Sequence, residues 1–103
     1  MALDIALLDN SGSPIAAIAL GVDTHWELMQ LARSENLELI LRLSDYYGEA
    51  SFFQQELASL SRELQVVASK GGTSPELAQF ARSMMALSES ARAAGRGLEA
   101  IPD

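Results

Sequence analysis

Residues 3–20 read LDIALLDNSGSPIAAIAL, two short apolar runs on either side of a polar spacer. The runs are residues 3–8 and 15–20. The spacer is rich in Asp, Asn, Ser, Gly and Pro, which support turns through side-chain hydrogen bonds or positive φ. This pattern is typical of a β-hairpin with a longer loop, although the many Ala and Leu residues are weak strand formers. The hairpin and the helical segments that follow it together predict an α+β fold.

A first helix is predicted directly after the hairpin. Thr24 and Glu27 have the spacing of a capping box, and Asp23 adds favourable charge at the positive end of the helix dipole. The helix is expected to reach residue 34 or 35, since Asn36 suits a left-handed cap. Residues 37–43 alternate as a strand does, but they also fit one helical face. Their Leu, Glu and Arg content favours a short helix.

A long amphipathic stripe predicts the next helix, which Gly71 and Gly72 would end. Ser51 and Gln54 have the spacing of another capping box at its start. The apolar positions recur at intervals of four and three, as on one helical face. They are Phe53, Leu57, Leu60, Leu64 and Val67.

A second apolar stripe, whose positions run from Leu77 to Ala94, predicts a last helix. Ser74 and Pro75 read as its N-cap and first helical residue, and Gly95 as its terminator. The tail at residues 98–101 alternates weakly and is able to add an edge strand to the hairpin. The sequence therefore predicts a single α+β domain at residues 1–103. In it, the hairpin packs on three to four helices, the last two forming a long antiparallel pair.

Charge is distributed unevenly along the 103 residues. Residues 1–56 hold nine acids and two bases, a net of −7, whereas residues 57–103 hold five of each. An acidic chain with pI near 4.5 disfavours nucleic acid and anionic membranes as partners. Its field would speed association with a basic protein. Solubility alone is the alternative explanation of the acidity.

Targeting and membrane signals are weak. Asp4 and Asp9 interrupt the first apolar run and no base precedes it, so no signal peptide is predicted. No apolar run approaches the length of a membrane span. The chain has no Cys, which fits a reducing compartment, and a cytoplasmic location is expected.

Catalytic and metal-binding groups are sparse. His25 is the one histidine, and its place in the first turn of a helix predicts a solvent-facing imidazole. Neither a metal site nor a His-based nucleophilic triad is expected from it. Asp45 and Glu49 are spaced to share a helical face and to perturb each other's pKa, yet exposed acids at this spacing usually stay solvated. We therefore expect no enzyme activity and no cofactor.

Four of the six aromatic residues fall within residues 46–53. Aromatic side chains on an acidic surface are typical of a protein-binding face. The alternative is that the tyrosines cap the core with their hydroxyls at its wet edge. Phe53 begins a core stripe. Because adjacent residues cannot all face inward, at least one of Tyr46 and Tyr47 is expected to stay partly exposed, as is Phe52. Trp26 is expected either to pack on the hairpin or to lie at the rim of that face. The proposed partner-binding residues are Glu38, Asp45, Tyr46, Tyr47, Glu49 and Phe52.

Three segments together resemble small acidic bacterial immunity proteins, which are encoded beside polymorphic toxins, including those of contact-dependent growth inhibition. The segments are MALDIALLD at residues 1–9, WELMQLA at 26–32 and RLSDYY at 42–47. The resemblance implies a cytoplasmic protein that binds the C-terminal domain of a cognate toxin and blocks it. Many such toxins are nucleases with basic clefts. The resemblance identifies no individual functional residue in this sequence. The alternative is a self-associating structural or regulatory domain in which Tyr46, Tyr47 and Phe52 form a dimer contact.

Overall fold

The computed structural model describes residues 2–103, which form a four-stranded antiparallel sheet and three α-helices around one hydrophobic core. The α+β class, the hairpin and the C-terminal helix pair are confirmed. In chain order the elements are β1 (Leu3–Leu8), β2 (Pro14–Leu20), α1 (Val22–Glu35), a 3-10 helix (Ile40–Leu43), β3 (Ala50–Phe52), a second 3-10 helix (Gln54–Glu56), α2 (Leu57–Ser69), α3 (Pro75–Ala93) and β4 (Leu98–Pro102).

The sheet has the strand order β2-β1-β4-β3. The expected tail strand forms as β4 and joins the hairpin through β1, but it is not an edge strand. Its other side pairs with β3, which the sequence did not predict. The edges of the sheet are therefore β2 and β3.

One face of the sheet packs on the helices. Leu3, Ile5 and Leu7 of β1 belong to the core cluster that contacts the helices, as the two-residue period of a strand requires. Of the alternate residues, Asp4 and Leu8 are half-buried, and Ala6 is buried outside that cluster. The hairpin loop is closed by Asp9, whose Oδ1 accepts hydrogen bonds from the N–H groups of Ser11 at 2.8 Å and Ser13 at 3.0 Å. The predicted hairpin and its turn chemistry are thus both present.

Helix α1 begins at Val22, two residues before Thr24, so the capping box of Thr24 and Glu27 is wrong. The Glu27 carboxylate instead caps another helix: it accepts from the N–H of Ser74 at 2.8 Å and from its hydroxyl at 2.5 Å. The end of α1 is as expected, with Asn36 in the left-handed conformation at φ 55°.

Residues 37–43 contain a short 3-10 helix, which agrees with the helical interpretation of this segment. Glu63 of α2 accepts hydrogen bonds from the N–H groups of Leu39 at 3.2 Å and Ile40 at 3.0 Å. These groups at the start of a helix have no partner within it, so a distant carboxylate stabilises this helix.

The region before α2 differs from the sequence prediction. Ser51 is no N-cap: it lies in β3, and its hydroxyl donates to Glu99 at 2.7 Å. Phe52 faces the core at 1% exposure, whereas Phe53 is 60% exposed and does not begin the core stripe. Because residues 50–52 form a strand and Gln54–Glu56 a 3-10 turn, α2 starts only at Leu57.

Helix α3 begins as the sequence predicts. Pro75 is its first residue, and the Ser74 hydroxyl oxygen accepts from the N–H of Leu77 at 3.1 Å. Gly95 follows the helix at φ 73°, where a left-handed residue commonly ends a helix. The short connection at residues 70–74 reverses the chain, so α2 and α3 pack as an antiparallel pair.

Candidate functional site

A tight turn at residues 45–48 positions the two tyrosines. The Asp45 carboxylate accepts from the N–H of Tyr47 at 3.0 Å, and the N–H of Gly48 donates to the Asp45 carbonyl at 3.1 Å. A Cβ at Gly48 would lie 2.7 Å from Asp45 Oδ2, so a larger residue there would require the Asp45 side chain to shift. Asp45 and Glu49 accordingly flank a turn and do not share a helical face.

Tyr46 points inward from this turn. Its side chain is 8% exposed, and its hydroxyl donates to the Leu20 carbonyl at 2.9 Å. Burial raises the pKa of the Tyr46 phenol above its ordinary value. Tyr46 therefore caps the core with its hydroxyl at the end of β2, and it is not an exposed anchor.

His25 is buried beneath the turn, which corrects the expected solvent-facing imidazole. Its Nε2 lies 2.6 Å from the Leu43 carbonyl oxygen, and its ring centroid lies 4.8 Å from that of Tyr46. His25 precedes Leu28 and Met29 by three and four residues, so it shares their buried face of α1. These contacts join α1 firmly to residues 43–46.

Three large apolar side chains remain exposed around this junction. Tyr47 is 65% exposed and packs edge-on against Tyr46, with ring centroids 5.4 Å apart. Trp26 and Val22, 67% and 57% exposed, lie one turn apart on α1. Trp26 follows His25 in α1, and the His25 ring contacts Tyr46, the residue before Tyr47. We call Val22, Trp26 and Tyr47 the aromatic face; Trp26 is exposed and does not pack on the hairpin.

Acidic residues flank members of the aromatic face in sequence: Asp23 follows Val22, and Asp45 and Glu49 lie two residues before and after Tyr47. Asp23, Asp45 and Glu49 are exposed, and none of the ion pairs within residues 2–103 involves them. Arg42, the base nearest in sequence to the turn, is held elsewhere, since both of its terminal nitrogens bond to the Glu56 carboxylate. The negative charge beside Tyr47 is therefore not neutralised by Arg42.

Two other proposed residues lie outside the turn. Glu38 is exposed on the segment between α1 and the first 3-10 helix. Phe52 is in the core, so it is not available as a surface contact. Of the six proposed residues, the turn gathers Asp45, Tyr47 and Glu49 on the surface.

No protein-family model, curated protein or solved structure matches this chain. Residues 2–103 hold no cluster of three or more His, Cys, Asp or Glu side chains placed to bind a metal ion. Within the same residues, no helix has both the length and the hydropathy needed to cross a bilayer.

The ion pair between Arg42 and Glu56 predicts that the stability of the fold decreases in acid. The hydrogen bond from Arg42, and then that from the Phe53 N–H, lowers the pKa of Glu56 to about 2 from an ordinary value of 4.5. A carboxyl whose pKa is depressed by folding stabilises the protein above its unfolded-state pKa. This contribution should decline as the pH falls from 4.5 toward 2 and disappear below that.

A double-mutant cycle of Glu56→Gln and Arg42→Gln measures this coupling by urea unfolding at several pH values. The coupling free energy should be constant from neutral pH to near 4.5 and fall in the acid range. A coupling that persists unchanged to pH 2 would contradict the assignment.

Proposed function

We propose that this chain is an immunity protein that binds the C-terminal domain of a cognate bacterial toxin in the cytoplasm and blocks it by one-to-one occlusion. The observation that carries the proposal is the aromatic face, Val22, Trp26 and Tyr47, with three acids beside it that have no ion-pair partner. The resemblance of residues 1–9, 26–32 and 42–47 to immunity proteins gives the proposal its specific form.

The aromatic face has the properties of an interface anchor. Trp and Tyr bury large areas on binding at a small cost in side-chain entropy, and they dominate the energetics of many interfaces. Tyr47 is held by the Asp45 turn and by the Tyr46 ring beneath it. Such preorganisation reduces the entropy lost on association.

The charge around the face favours a basic partner. Asp23, Asp45 and Glu49 are exposed, and the whole chain carries a net charge of −7. Complementary charge speeds encounter and disfavours acidic partners. A nuclease-type toxin with a basic substrate cleft fits this surface, because acidic side chains would take the place of substrate phosphates there.

Self-association through Tyr46, Tyr47 and Phe52 has little support from the fold. Tyr46 and Phe52 are 8% and 1% exposed, so only Tyr47 is able to contact a second molecule without rearrangement. The proposal therefore does not include a dimer contact built from these three residues.

The proposal expects a neighbouring gene for a secreted protein whose C-terminal domain is the toxin, and that domain is the partner to test. The native protein should form a one-to-one complex with the toxin domain and protect cells that express that domain. The double variant Trp26→Ala, Tyr47→Ala should lose about a thousandfold in affinity, the scale of two interface hot spots of about 2 kcal/mol each, with an unchanged melting temperature. Phe53→Ala, equally exposed but outside the face, is the matched control and should bind normally.

Two outcomes would overturn separate parts of this proposal. Absence of both binding and protection by the native protein would remove the immunity function. Full affinity of the folded double variant would show that the partner contacts another surface.

A further inference from the structure

Strand β2 leaves one side of the sheet open. It lies at the end of the strand order and pairs only with β1. Residues 14–20 carry no charge, and Ile15, Ala16, Ala17 and Ala19 are exposed. An uncharged strand edge with free N–H and C=O groups is a template for pairing with another strand, and proteins usually guard such edges with charged side chains. Apart from Pro14 at its start, this edge has no such protection.

A groove runs beside this open edge. It encloses about 340 Å³ between β2 and α3. Ile18 lines it on the strand side. On the helix side it is lined by Glu76, Gln79, Phe80 and Ser83, whose spacing of three, four and seven residues makes one continuous stripe along α3. The groove therefore has an apolar floor at Ile18 and Phe80, with an exposed carboxylate at one end of the helix stripe.

We infer that this groove binds an extended, basic segment of another protein, which adds a fifth strand beside β2. Main-chain hydrogen bonds to the strand edge would supply affinity, and alternate side chains of the added strand would point toward α3. One of them would be apolar and contact Ile18 and Phe80. A lysine or arginine two residues away would pair with Glu76. The segment is identified by this combination of extended backbone, one apolar side chain and one positive charge.

Charge is the reason for choosing a basic partner segment over a second copy of this chain. Strand β2 has no lysine or arginine, so a second β2 would leave Glu76 without a partner. Two molecules that each carry a net charge of −7 would also repel one another. A cationic extended segment would pair with the Glu76 carboxylate and also form main-chain hydrogen bonds with the β2 edge.

The groove is separate from the aromatic face, so this inference goes beyond the proposed function and does not rest on it. Thr24 lines the groove, and at 3.6 residues per turn it lies roughly 160° around α1 from Trp26. A partner able to reach both surfaces would have to wrap around the start of α1.

The inference is tested with the native protein and a displayed library of random dodecapeptides. Selected peptides should carry a basic residue two positions from an apolar one, and binding should slow hydrogen exchange at the amides of residues 15–20. N-methylation of the peptide backbone should abolish binding. Glu76→Lys should weaken binding about tenfold or more, as loss of a partly desolvated charge pair does. Glu38→Lys makes the same change of charge elsewhere on the surface and should have little effect.

Three results would overturn the inference. The first is selection of peptides that lack basic residues. The second is slowed hydrogen exchange only in segments other than β2, and the third is an equal loss of peptide affinity in Glu76→Lys and Glu38→Lys. A native dimer whose β2 amides are already slow to exchange would mean that a second copy covers the edge. The double variant of Trp26 and Tyr47 should bind the peptides normally, so the result is independent of the toxin experiment.

Discussion

Replacing Phe52 by alanine is expected to lower the free energy of unfolding by about 4 kcal/mol, the cost typical of deleting a buried phenylalanine ring. The side chain is 1% exposed, and Phe52 pairs with Leu98 of β4. The Arg42 guanidinium lies over its ring, 5.8 Å from the centroid. The variant would therefore lose core packing together with a cation–π contact. This is a large share of the stability of a domain, which is usually about 5–15 kcal/mol.

The neighbouring residue supplies the control for Phe52. Phe53→Ala removes the same ring from a position that is 60% exposed, and its cost should stay within about 0.5 kcal/mol, as for most surface substitutions. Urea unfolding of both variants measures the difference, provided that the slope of the transition is unchanged. Equal losses at the two positions would contradict the burial that β3 imposes on this pair.

The Phe52–Phe53 pair also shows which parts of the fold the sequence could predict. The hairpin, the Ser74–Pro75 start of α3 and the Asn36 end of α1 follow from signals within a few residues, and all are present. The strand β3 is only three residues long, too short to show a period. Its formation depends on pairing with β4, more than forty residues further along the chain. No local pattern could therefore reveal it or the inward orientation of Phe52.

The candidate site was predictable to a similar extent. The clustering of tyrosines and acids led to the turn at residues 45–48, and one tyrosine is exposed as expected. The sequence could not show which one, because the choice depends on the hydroxyl of Tyr46 reaching Leu20 and its ring contacting His25. It also left the position of Trp26 open, since α1 is amphipathic and the rotation of its faces is fixed by tertiary packing.

Replacing Gly97 by alanine should also be strongly destabilising. A Cβ at this position would lie 2.2 Å from the Phe52 carbonyl oxygen and 3.3 Å from the Phe53 Cα. Both atoms belong to the backbone, so no side-chain rotation relieves the clash. The end of β3 must move away from β4, and we expect a loss of about 3 kcal/mol, at the upper end of the usual cost of overpacking.

Two other glycines separate this clash from general effects of the substitution. A Cβ added at Gly71 would meet no atom within 4 Å, so Gly71→Ala should change stability by less than about 0.5 kcal/mol. Gly95 is equally open but has φ 73°, so its alanine variant should lose only about 1 kcal/mol for the left-handed conformation. Urea unfolding ranks the three, and a Gly97→Ala variant as stable as Gly71→Ala would contradict the close approach of β3 and β4.

Gly97 and Phe52 should not act independently, because both effects pass through the pairing of β3 with β4. Once Gly97→Ala has displaced β3, the Phe52 ring no longer fills its place in the core. Phe52→Ala should then lower the free energy of unfolding by less than it does in the native protein. The double variant is therefore expected to lose clearly less stability than the sum of the two single losses, by about 1 kcal/mol or more, as for residues coupled through a shared backbone shift. Additive losses would mean that β3 keeps its position in Gly97→Ala, and that the strain is absorbed within residues 95–97 instead.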